Sequence, residues 1–151
     1  MALGHRRAAR VSTVMAHWLY KSEPDAWSWN QQVASGEAGT YWEGVRNPLA
    51  NANMKAMRLG EHGFYYHSNK GKAVVGIVEV AKLWEHDPRD EKGRFGAVTI
   101  KAIEPMPKPV TLAAIKAEPR LAEMVLVKNS RLSVQPVTDE EWAIIREMGG
   151  L

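Results

Sequence analysis

Four short segments of the sequence, 21–29, 42–47, 65–68 and 131–135, place aromatic rings beside hydrogen-bonding side chains. The candidate stacking and hydrogen-bonding residues in them are Trp27, Trp29, Trp42, Tyr66, Ser22, Glu23, Arg46, Asn47, His67, Ser68, Ser133 and Gln135. A flipped nucleobase is held between aromatic or apolar walls, worth roughly 1 to 3 kcal/mol per base, while polar groups read its edge. These residue types therefore favour a site for a flat heteroaromatic ligand such as a nucleobase.

The tryptophans also have a structural interpretation. Trp18, Trp84 and Trp142 follow apolar stripes, so we expect them in the core rather than at a ligand. Trp27 and Trp29 are two residues apart and share a face only on a strand. At least one of these two is therefore expected in the core.

The turn around Gly44 presents a similar choice. Arg46 is predicted either to contact the ligand or to form an ion pair with Glu23 or Glu43. Gly44 indicates a tight turn or a close approach of two backbone segments. Trp42 is open to both interpretations, as a wall of the site or as part of the core.

Catalytic motifs give little support to an enzyme. His67 and Ser68 are adjacent, and Glu23 or Glu43 could complete a triad, but neighbouring residues on a strand point to opposite faces. The sequence has no G-x-S-x-G, H-E-x-x-H or Walker motif, and no H-x-E with P-C-x-x-C. We therefore predict that the protein is not an enzyme and that it has neither a metal nor a cofactor.

The composition is that of an ordinary globular domain. The 151 residues are 45% hydrophobic and 25% charged, which predicts a single domain with a sizeable core. No apolar run approaches the ~20 residues of a membrane span, so no membrane placement is expected. The sequence has no cysteine, which fits a reducing compartment: the cytoplasm or, in a eukaryote, the nucleus.

The charge balance leans weakly toward a polyanionic partner. There are 20 Lys and Arg against 17 Asp and Glu, a formal net charge of +3. Arg6, Arg7 and Arg10 lie in an acid-free opening that lacks the apolar core of a secretory signal. We predict that residues 1–15 are a disordered basic extension and that residues 16–151 form the domain.

Period-two patterns predict several strands. A short strand is expected over 17–21, and two further strands over 63–68 and 73–84 should pair as a hairpin. A third long strand is predicted over 95–103, followed by a stiff proline-rich linker at 105–109.

Helices are predicted between these strands. Residues 29–34 should form a short helix capped by Asp25 or Ser28. A second helix should begin at Pro48, whose missing N–H costs nothing in the first turn, and end at Gly60.

The C-terminal third is predicted to be mainly helical. Two short helical pieces are divided at Pro119, and an extended segment follows over 131–137. A capping box of Thr138 and Glu141 starts a last helix, which Gly149 ends. Strands near both ends and in the middle, with small helices between them, predict an α+β domain on a bent sheet or small barrel.

Four motifs occur in one order along the chain: W-L-Y-K-S-E-P, Y-W-E-G-V-R-N, G-F-Y-Y-H-S and R-L-S-V-Q-P-V. With them, over about residues 18–150, the sequence resembles the EVE domain family. The resemblance implies a PUA-like bent β-barrel with peripheral short helices, related to the YTH and ASCH domains. It also implies a reader of modified bases, notably 5-methylcytosine or its oxidised derivatives in DNA, with modified RNA as an alternative.

Carried over by motif, the resemblance implies a pocket that draws on all four segments. Its predicted ligand-binding residues are Ser22, Glu23, Trp42, Val45, Arg46, Asn47, Tyr66, His67, Ser68, Arg131, Ser133 and Gln135. The sequence departs from the family pattern at Pro48, where a bulky residue is usual, and at Phe95 and Gly96, where many relatives carry a tryptophan. The start of the second helix and the role of the segment before Phe95 are therefore open.

Three interpretations of function follow. The leading one is a non-enzymatic module that flips a modified base of DNA or RNA into an aromatic-lined polar pocket. The second is an enzyme acting on a nucleotide or RNA, with Glu23 and His67 as acid–base groups. The third is a structural or protein-interaction domain whose pocket is vestigial, which a collapsed pocket with Trp42 packed into the core would favour. The sequence leaves the oligomeric state open.

Overall fold

A computed structural model describes residues 15–151, so the predicted N-terminal extension lies, except for Met15, outside the described residues. Six strands form one mixed sheet: β1 (His17–Ser22), β2 (Thr40–Tyr41), β3 (His62–His67), β4 (Ala73–His86), β5 (Gly96–Thr111) and β6 (Val134–Val137). The α-helices of this part of the chain are α1 (Trp29–Ala34), α2 (Pro48–Ala56), α3 (Leu112–Ala117), α4 (Val125–Lys128) and α5 (Asp139–Met148). Short 3-10 turns lie at Gly36–Ala38 and Pro119–Leu121. The predicted α+β class is confirmed.

The sheet has the strand order β2-β5-β4-β3-β1-β6. β1 and β3 run parallel, and every other neighbouring pair is antiparallel. Parallel neighbours need a long crossover connection, which here is residues 23–61 with α1, β2 and α2. Four register shifts between β4 and β5 bend the sheet. Among the described residues β2 and β6 do not pair, so the barrel stays open between these two edge strands.

The strand predictions differ from the structure mainly at the prolines. The β3–β4 hairpin is confirmed, but β5 continues as a strand through the predicted linker at 105–109. β2 pairs with β5 only at Thr99 and Ile100. Beyond these residues one side of β5 has no strand neighbour among the described residues, which is the edge position where prolines are tolerated in a strand.

Two hydrophobic clusters cover the two faces of the sheet. Side chains alternate along each strand, so Tyr20 and Tyr65 enter one cluster while Leu19, Phe64 and Tyr66 enter the other. Helix α2 packs on the first cluster through the buried residues Ala50 and Met54, and α5 packs on the second through Trp142 and Ile145. The first cluster supports the site described below.

The helix starts follow the predicted capping chemistry. Ser28, rather than Asp25, caps α1 in a capping box with Gln31. Thr138 and Glu141 form the predicted box at α5, which ends at Gly149.

The prediction that α2 extends to Gly60 is wrong, because the helix ends at Ala56. Met57 turns to an extended conformation and is buried, and its sulfur accepts a hydrogen bond of 3.1 Å from the Tyr20 hydroxyl. The buried Glu61 carboxylate then accepts the Arg58 N–H at 2.8 Å and the Trp18 Nε1–H at 2.9 Å. These tertiary hydrogen bonds end the helix early and lead the chain into β3.

Gly76 on β4 leaves room for the Trp29 ring at the start of α1. A Cβ at Gly76 would lie 2.4 to 2.5 Å from three atoms of that ring. We therefore expect Gly76→Ala to lower the free energy of unfolding by roughly 1 to 3 kcal/mol through overpacking, measured by urea denaturation. In a Trp29→Leu background, which lacks the clashing ring, the same change should cost clearly less. An equal cost in both backgrounds would contradict this packing account.

Candidate functional site

A cleft of about 810 Å³ opens at the carboxyl end of β1, between the two edge strands of the sheet. Its walls are the end of β1 and the following turn (21–27), the segment that contains β2 (39–47), and Ser133 just before β6. Ligand sites in proteins are usually clefts of roughly 300 to 1,000 Å³ with a mixed apolar and polar lining. The open seam of the barrel is thus large enough to hold a small ligand.

The structure brings part of the predicted site together. The predicted residues that line the cleft are Ser22, Glu23, Trp42, Val45, Arg46, Asn47 and Ser133. The predicted residues that do not line it are Tyr66, His67, Ser68, Arg131 and Gln135. In the second group, Tyr66 and His67 lie on β3, Ser68 just after it, Gln135 on β6 and Arg131 in the loop before β6.

Tyr66 belongs to the other face of the sheet. It is buried in the second hydrophobic cluster, whereas its neighbour Tyr65 is buried in the first. The physical reason is the alternation of side chains along β3, because the face that Tyr65 shares with Tyr20 and Trp42 is closed to Tyr66. Of these two neighbouring residues of β3, it is therefore Tyr65 and not Tyr66 that packs beneath the cleft.

Three side chains form hydrogen bonds with the backbone of the turn that follows β1. The Trp27 carbonyl oxygen accepts hydrogen bonds from the Ser22 hydroxyl at 2.8 Å and from the Tyr65 hydroxyl at 2.6 Å. The Trp29 N–H donates to His67 Nε2 at 3.0 Å. Burial raises the pKa of Tyr65 to about 12, so its hydroxyl remains a donor. Ser22 and His67, predicted as ligand contacts, thus fix this turn.

The Trp27 side chain is fixed separately. Its Nε1–H donates to Gln32 Oε1 at 2.9 Å, and the Nε2 of the fully buried Gln32 donates to the Ile100 carbonyl at 3.0 Å. The indole is only partly buried and lines the cleft. The Gln32 amide is hydrogen-bonded through both its oxygen and its nitrogen, and it therefore fixes the Trp27 ring in the wall of the cleft.

Trp42 forms the base of this aromatic wall. It is 8% exposed and makes edge contacts with Tyr20 and Tyr65, at centroid distances of 5.9 and 5.7 Å. Trp42 therefore belongs to the core and also lines the cleft, so the two sequence interpretations of this residue are both realised.

Arg46 has a different ion-pair partner from the predicted Glu23 or Glu43. Its guanidinium lies 3.2 Å from the carboxylate of Asp87, which is 1% exposed and lies in the β4–β5 connection. Glu43 instead pairs with Arg89 at 2.8 Å. The backbone N–H of Arg89, with the Arg89 and Arg46 side chains, holds the pKa of the Asp87 carboxyl well below its usual range. Asp87 therefore stays charged and keeps Arg46 at the rim of the cleft.

Two further lining residues shape the turn after β2. The Asn47 side chain caps α2 by accepting the Ala50 N–H at 2.9 Å. Gly44 has a φ of +81°, and a Cβ there would meet no atom of the described residues within 4 Å. Of the two predicted roles for Gly44, the structure has the tight turn and not the close backbone approach.

The remaining predicted residues have structural contacts. The Ser68 N–H donates to the Ser22 carbonyl at 2.9 Å, which extends the pairing of β3 with β1. Arg131 is exposed and lies outside the cleft lining. Gln135 is fully buried and donates to the Leu132 carbonyl at 2.8 Å, while its Oε1 has no hydrogen-bond partner among residues 15–151.

The arrangement does not assemble the acid–base pair of the second interpretation. Glu23 lines the cleft, but His67 does not, and its Nε2 already accepts the Trp29 N–H. Burial lowers the pKa of His67, which favours this neutral acceptor form. Residues 15–151 contain no group of three or more His, Asp or Glu side chains placed to hold a metal ion. In the same residues no helix is long and apolar enough to cross a membrane.

The predicted set of ligand-binding residues omits several residues that line the cleft. Trp27 is predicted only as a candidate stacking ring, and Thr40 and Tyr41 are not predicted at all. No local pattern marks these three, because a two-residue strand such as β2 has no detectable period. Hydrophobicity along α1 gives no signal for this wall either, because α1 buries the polar Gln32 while the apolar Val33 is 50% exposed.

Comparisons with known proteins agree with this architecture. The family model of the EVE domain matches residues 16–148. Thymocyte nuclear protein 1 of Gallus gallus is 32% identical over 161 residues, an alignment that covers 85% of this chain and 66% of that protein. This chain thus spans about two thirds of that relative's length.

Solved structures superpose on most of the chain. An NMR structure from Rhodopseudomonas palustris is 60% identical, with a TM-score of 0.86, covering 90% of this chain and 94% of that one. The crystal structure of human THYN1 protein in complex with DNA containing 5-methylcytosine is 28% identical, with a TM-score of 0.83, covering 90% and 98%. The predicted PUA-like fold is confirmed, with the barrel open between β2 and β6.

The His67 hydrogen bond should make stability depend on pH. Because the pKa of His67 is lowered in the folded state, the unfolded chain binds a proton more readily, and stability should fall as the pH drops below 6.5. His67→Gln keeps an acceptor near the same place and cannot titrate. We expect the melting temperature of the wild type to exceed that of the variant at pH 7.5, and this gap to shrink by pH 5.5. A gap that stays constant with pH would contradict this role.

Proposed function

Because the chain belongs to the EVE domain family, we propose that it is a non-enzymatic nucleic-acid-binding module. In this proposal it reads a modified base, which is flipped out of its strand into the cleft between β2 and β6. The single observation that carries the proposal is the Trp27 ring, fixed by Gln32 in the wall of an open cleft of about 810 Å³.

The aromatic wall supplies the stacking surface that a flipped base needs. Trp27 is the partly buried ring, and Trp42 lies behind it against Tyr20 and Tyr65. Base stacking on one aromatic side chain contributes roughly 1 to 3 kcal/mol. A ring that is already held in place loses little conformational entropy when the base arrives, so more of this energy remains for binding.

Polar groups around the wall are suited to the edge of the base. Glu23 accepts hydrogen bonds, and Ser133, Asn47 and the Thr40 hydroxyl line the same cleft. The Thr40 Oγ1 is buried and has no hydrogen-bond partner among the described residues. An unpaired buried hydroxyl costs free energy, so a ligand or water that reaches it would be favoured.

The first candidate for the base is 5-methylcytosine or one of its oxidised derivatives. A relative of the same fold, 28% identical, was solved with DNA that contains 5-methylcytosine. Burial of one methyl group contributes only about 0.8 kcal/mol, so the preference for a methylated base is expected to be a few-fold. A modified base in RNA is the alternative within the same proposal.

The hydrogen-bond pattern supports binding rather than catalysis. His67 Nε2 and the Asn47 side-chain oxygen are engaged by backbone N–H groups. Arg46 is held by the buried Asp87. Apart from Glu23, the groups that could take part in chemistry are thus engaged in contacts that fix the shape of the cleft.

We expect oligonucleotides with one 5-methylcytosine or 5-hydroxymethylcytosine to bind more tightly than the unmodified sequence. The physical reason is the extra contact of the modification inside the cleft. Fluorescence anisotropy titrations of DNA and RNA versions under one buffer condition measure the ratio of dissociation constants. Equal affinity for every modified and unmodified oligonucleotide would overturn the proposal.

Removal of the stacking ring should weaken binding strongly. Trp27→Ala is expected to raise the dissociation constant roughly 5- to 150-fold, the equivalent of 1 to 3 kcal/mol of stacking energy. Trp27→Phe keeps a ring and should weaken binding less. The matched control is Ile103→Ala, which removes an exposed apolar side chain of β5 outside the cleft lining. If the control weakens binding as much as Trp27→Ala, Trp27 is not the stacking ring.

A further inference from the structure

A row of cations and aromatic rings continues from the rim of the cleft along α2. The Cζ atoms of Arg46 and Arg94 lie 5.7 and 5.5 Å from the centre of the Phe95 ring. The Nζ atom of Lys55 lies 4.7 Å from the centre of the Trp84 ring. We refer to these five residues as the ledge. Arg46 also lines the cleft, so the ledge and the cleft are continuous.

One buried amide fixes the ledge. Asn51 is 7% exposed, and its Oδ1 accepts the Trp84 Nε1–H at 2.9 Å and the Gly96 N–H at 3.2 Å. Its Nδ2 donates to the Arg94 carbonyl at 3.1 Å. Lys55 follows Asn51 by one turn of α2, on the same side of the helix. The Asn51 side chain lies one turn before Lys55 and is hydrogen-bonded to the Arg94 carbonyl, so it sets the spacing between Lys55 and Arg94.

Two of the three carboxylates of the β4–β5 connection, those of Asp87 and Asp90, are turned inward. Asp90 is 8% exposed and accepts the backbone N–H groups of Lys92, Arg94 and Phe95 at 3.3, 2.7 and 2.6 Å. Asp87 is 1% exposed and is covered by guanidinium and backbone groups. The negative charges of Asp87 and Asp90 are therefore used to shape the connection, and Glu91 is its exposed carboxylate.

Two cations of the ledge have no partner of opposite charge within residues 15–151. The side chains of Lys55 and Arg94 are exposed and lie over aromatic rings. Glu85 and Glu91 are exposed carboxylates next to the ledge in sequence, and neither forms an ion pair with Lys55 or Arg94. Exposed cations that are positioned but unpaired are suited to an anionic partner that arrives from solution.

We propose that the ledge binds the phosphodiester backbone of the strand whose base enters the cleft. The strand then runs from the cleft, past Arg46 and over the Phe95 and Trp84 rings, toward Lys55. Guanidinium and ammonium groups on phosphates hold a strand in register without reading its sequence. This inference rests on the proposed function for the base, and it adds the path of the strand and the residues that carry its affinity.

The double variant Lys55→Gln, Arg94→Gln tests the ledge. It removes two charges but keeps the Arg94 backbone groups that bond to Asp90 and Asn51. The matched control is Lys108→Gln, Lys116→Gln, which removes the same charge from exposed residues of β5 and α3 outside the cleft lining. Anisotropy titrations with unmodified and 5-methylcytosine oligonucleotides at several salt concentrations measure affinity and its salt dependence. Circular dichroism melting checks that both variants are folded.

The ledge variant should bind both oligonucleotides about tenfold more weakly at low salt, with an unchanged ratio between them. The slope of log K against log salt should become shallower by roughly 0.7 to 0.9 for each phosphate that the variant no longer neutralises. The control should keep the wild-type slope. A ledge variant with wild-type affinity and slope, or a control that is weakened as much, would overturn the inference.

The two proposals fail in different ways. A wild type that does not discriminate modified from unmodified bases would refute the proposed function. The ledge could still be tested by the salt dependence of binding to unmodified DNA. A ledge variant that matches the wild type would refute the ledge and leave base discrimination intact. A wild type that binds none of the oligonucleotides would overturn both.

Discussion

The parallel pairing of β1 with β3 is the constraint that positions the site. In this register Ser22 lies opposite His67, so the two strands end side by side at the same edge of the sheet. Parallel neighbours cannot be joined by a tight turn, and the crossover over residues 23–61 therefore carries α1, β2 and α2. Nearly all of the cleft lining comes from this crossover and the end of β1. The turn after Ser22 is then held by side chains from both parallel strands.

The buried polar side chains of the domain mainly form hydrogen bonds with the backbone. Gln32 and Asn51 are buried amides that bond to main-chain groups or indole N–H donors, and the Asp87, Asp90 and Glu61 carboxylates accept backbone N–H groups. Buried polar groups need such partners, because an unpaired one costs roughly 1 to 3 kcal/mol. The result is a cleft of fixed shape whose aromatic and cationic surfaces face outward. Rigid aromatic walls and solvent-facing cations suit a partner in which a flat heteroaromatic group is attached to an anionic chain.

The open barrel explains why the cleft lies where it does. A closed barrel has no edges, but here β2 has two residues and β6 has four, and they do not pair among the described residues. Short edge strands are poor templates for pairing with another chain. The seam is instead occupied by the turn that carries Trp27 and the segment that follows β2. Solved structures at 60% and 28% identity superpose with TM-scores of 0.86 and 0.83, so the overall fold tolerates wide sequence change.

The sequence by itself determined the family and most of the elements, but not β2, the end of α2 or the strand through 105–109. Hydrophobic alternation predicts the β3–β4 hairpin, and local capping chemistry predicts the start of α5 at Thr138, because both signals act between near neighbours in the chain. Only the tertiary structure decided which face each side chain takes and which partner it meets. Tyr65 rather than Tyr66 supports the cleft, and Arg46 pairs with Asp87, 41 residues away. These outcomes depend on strand register and on contacts between distant segments, which no local pattern encodes.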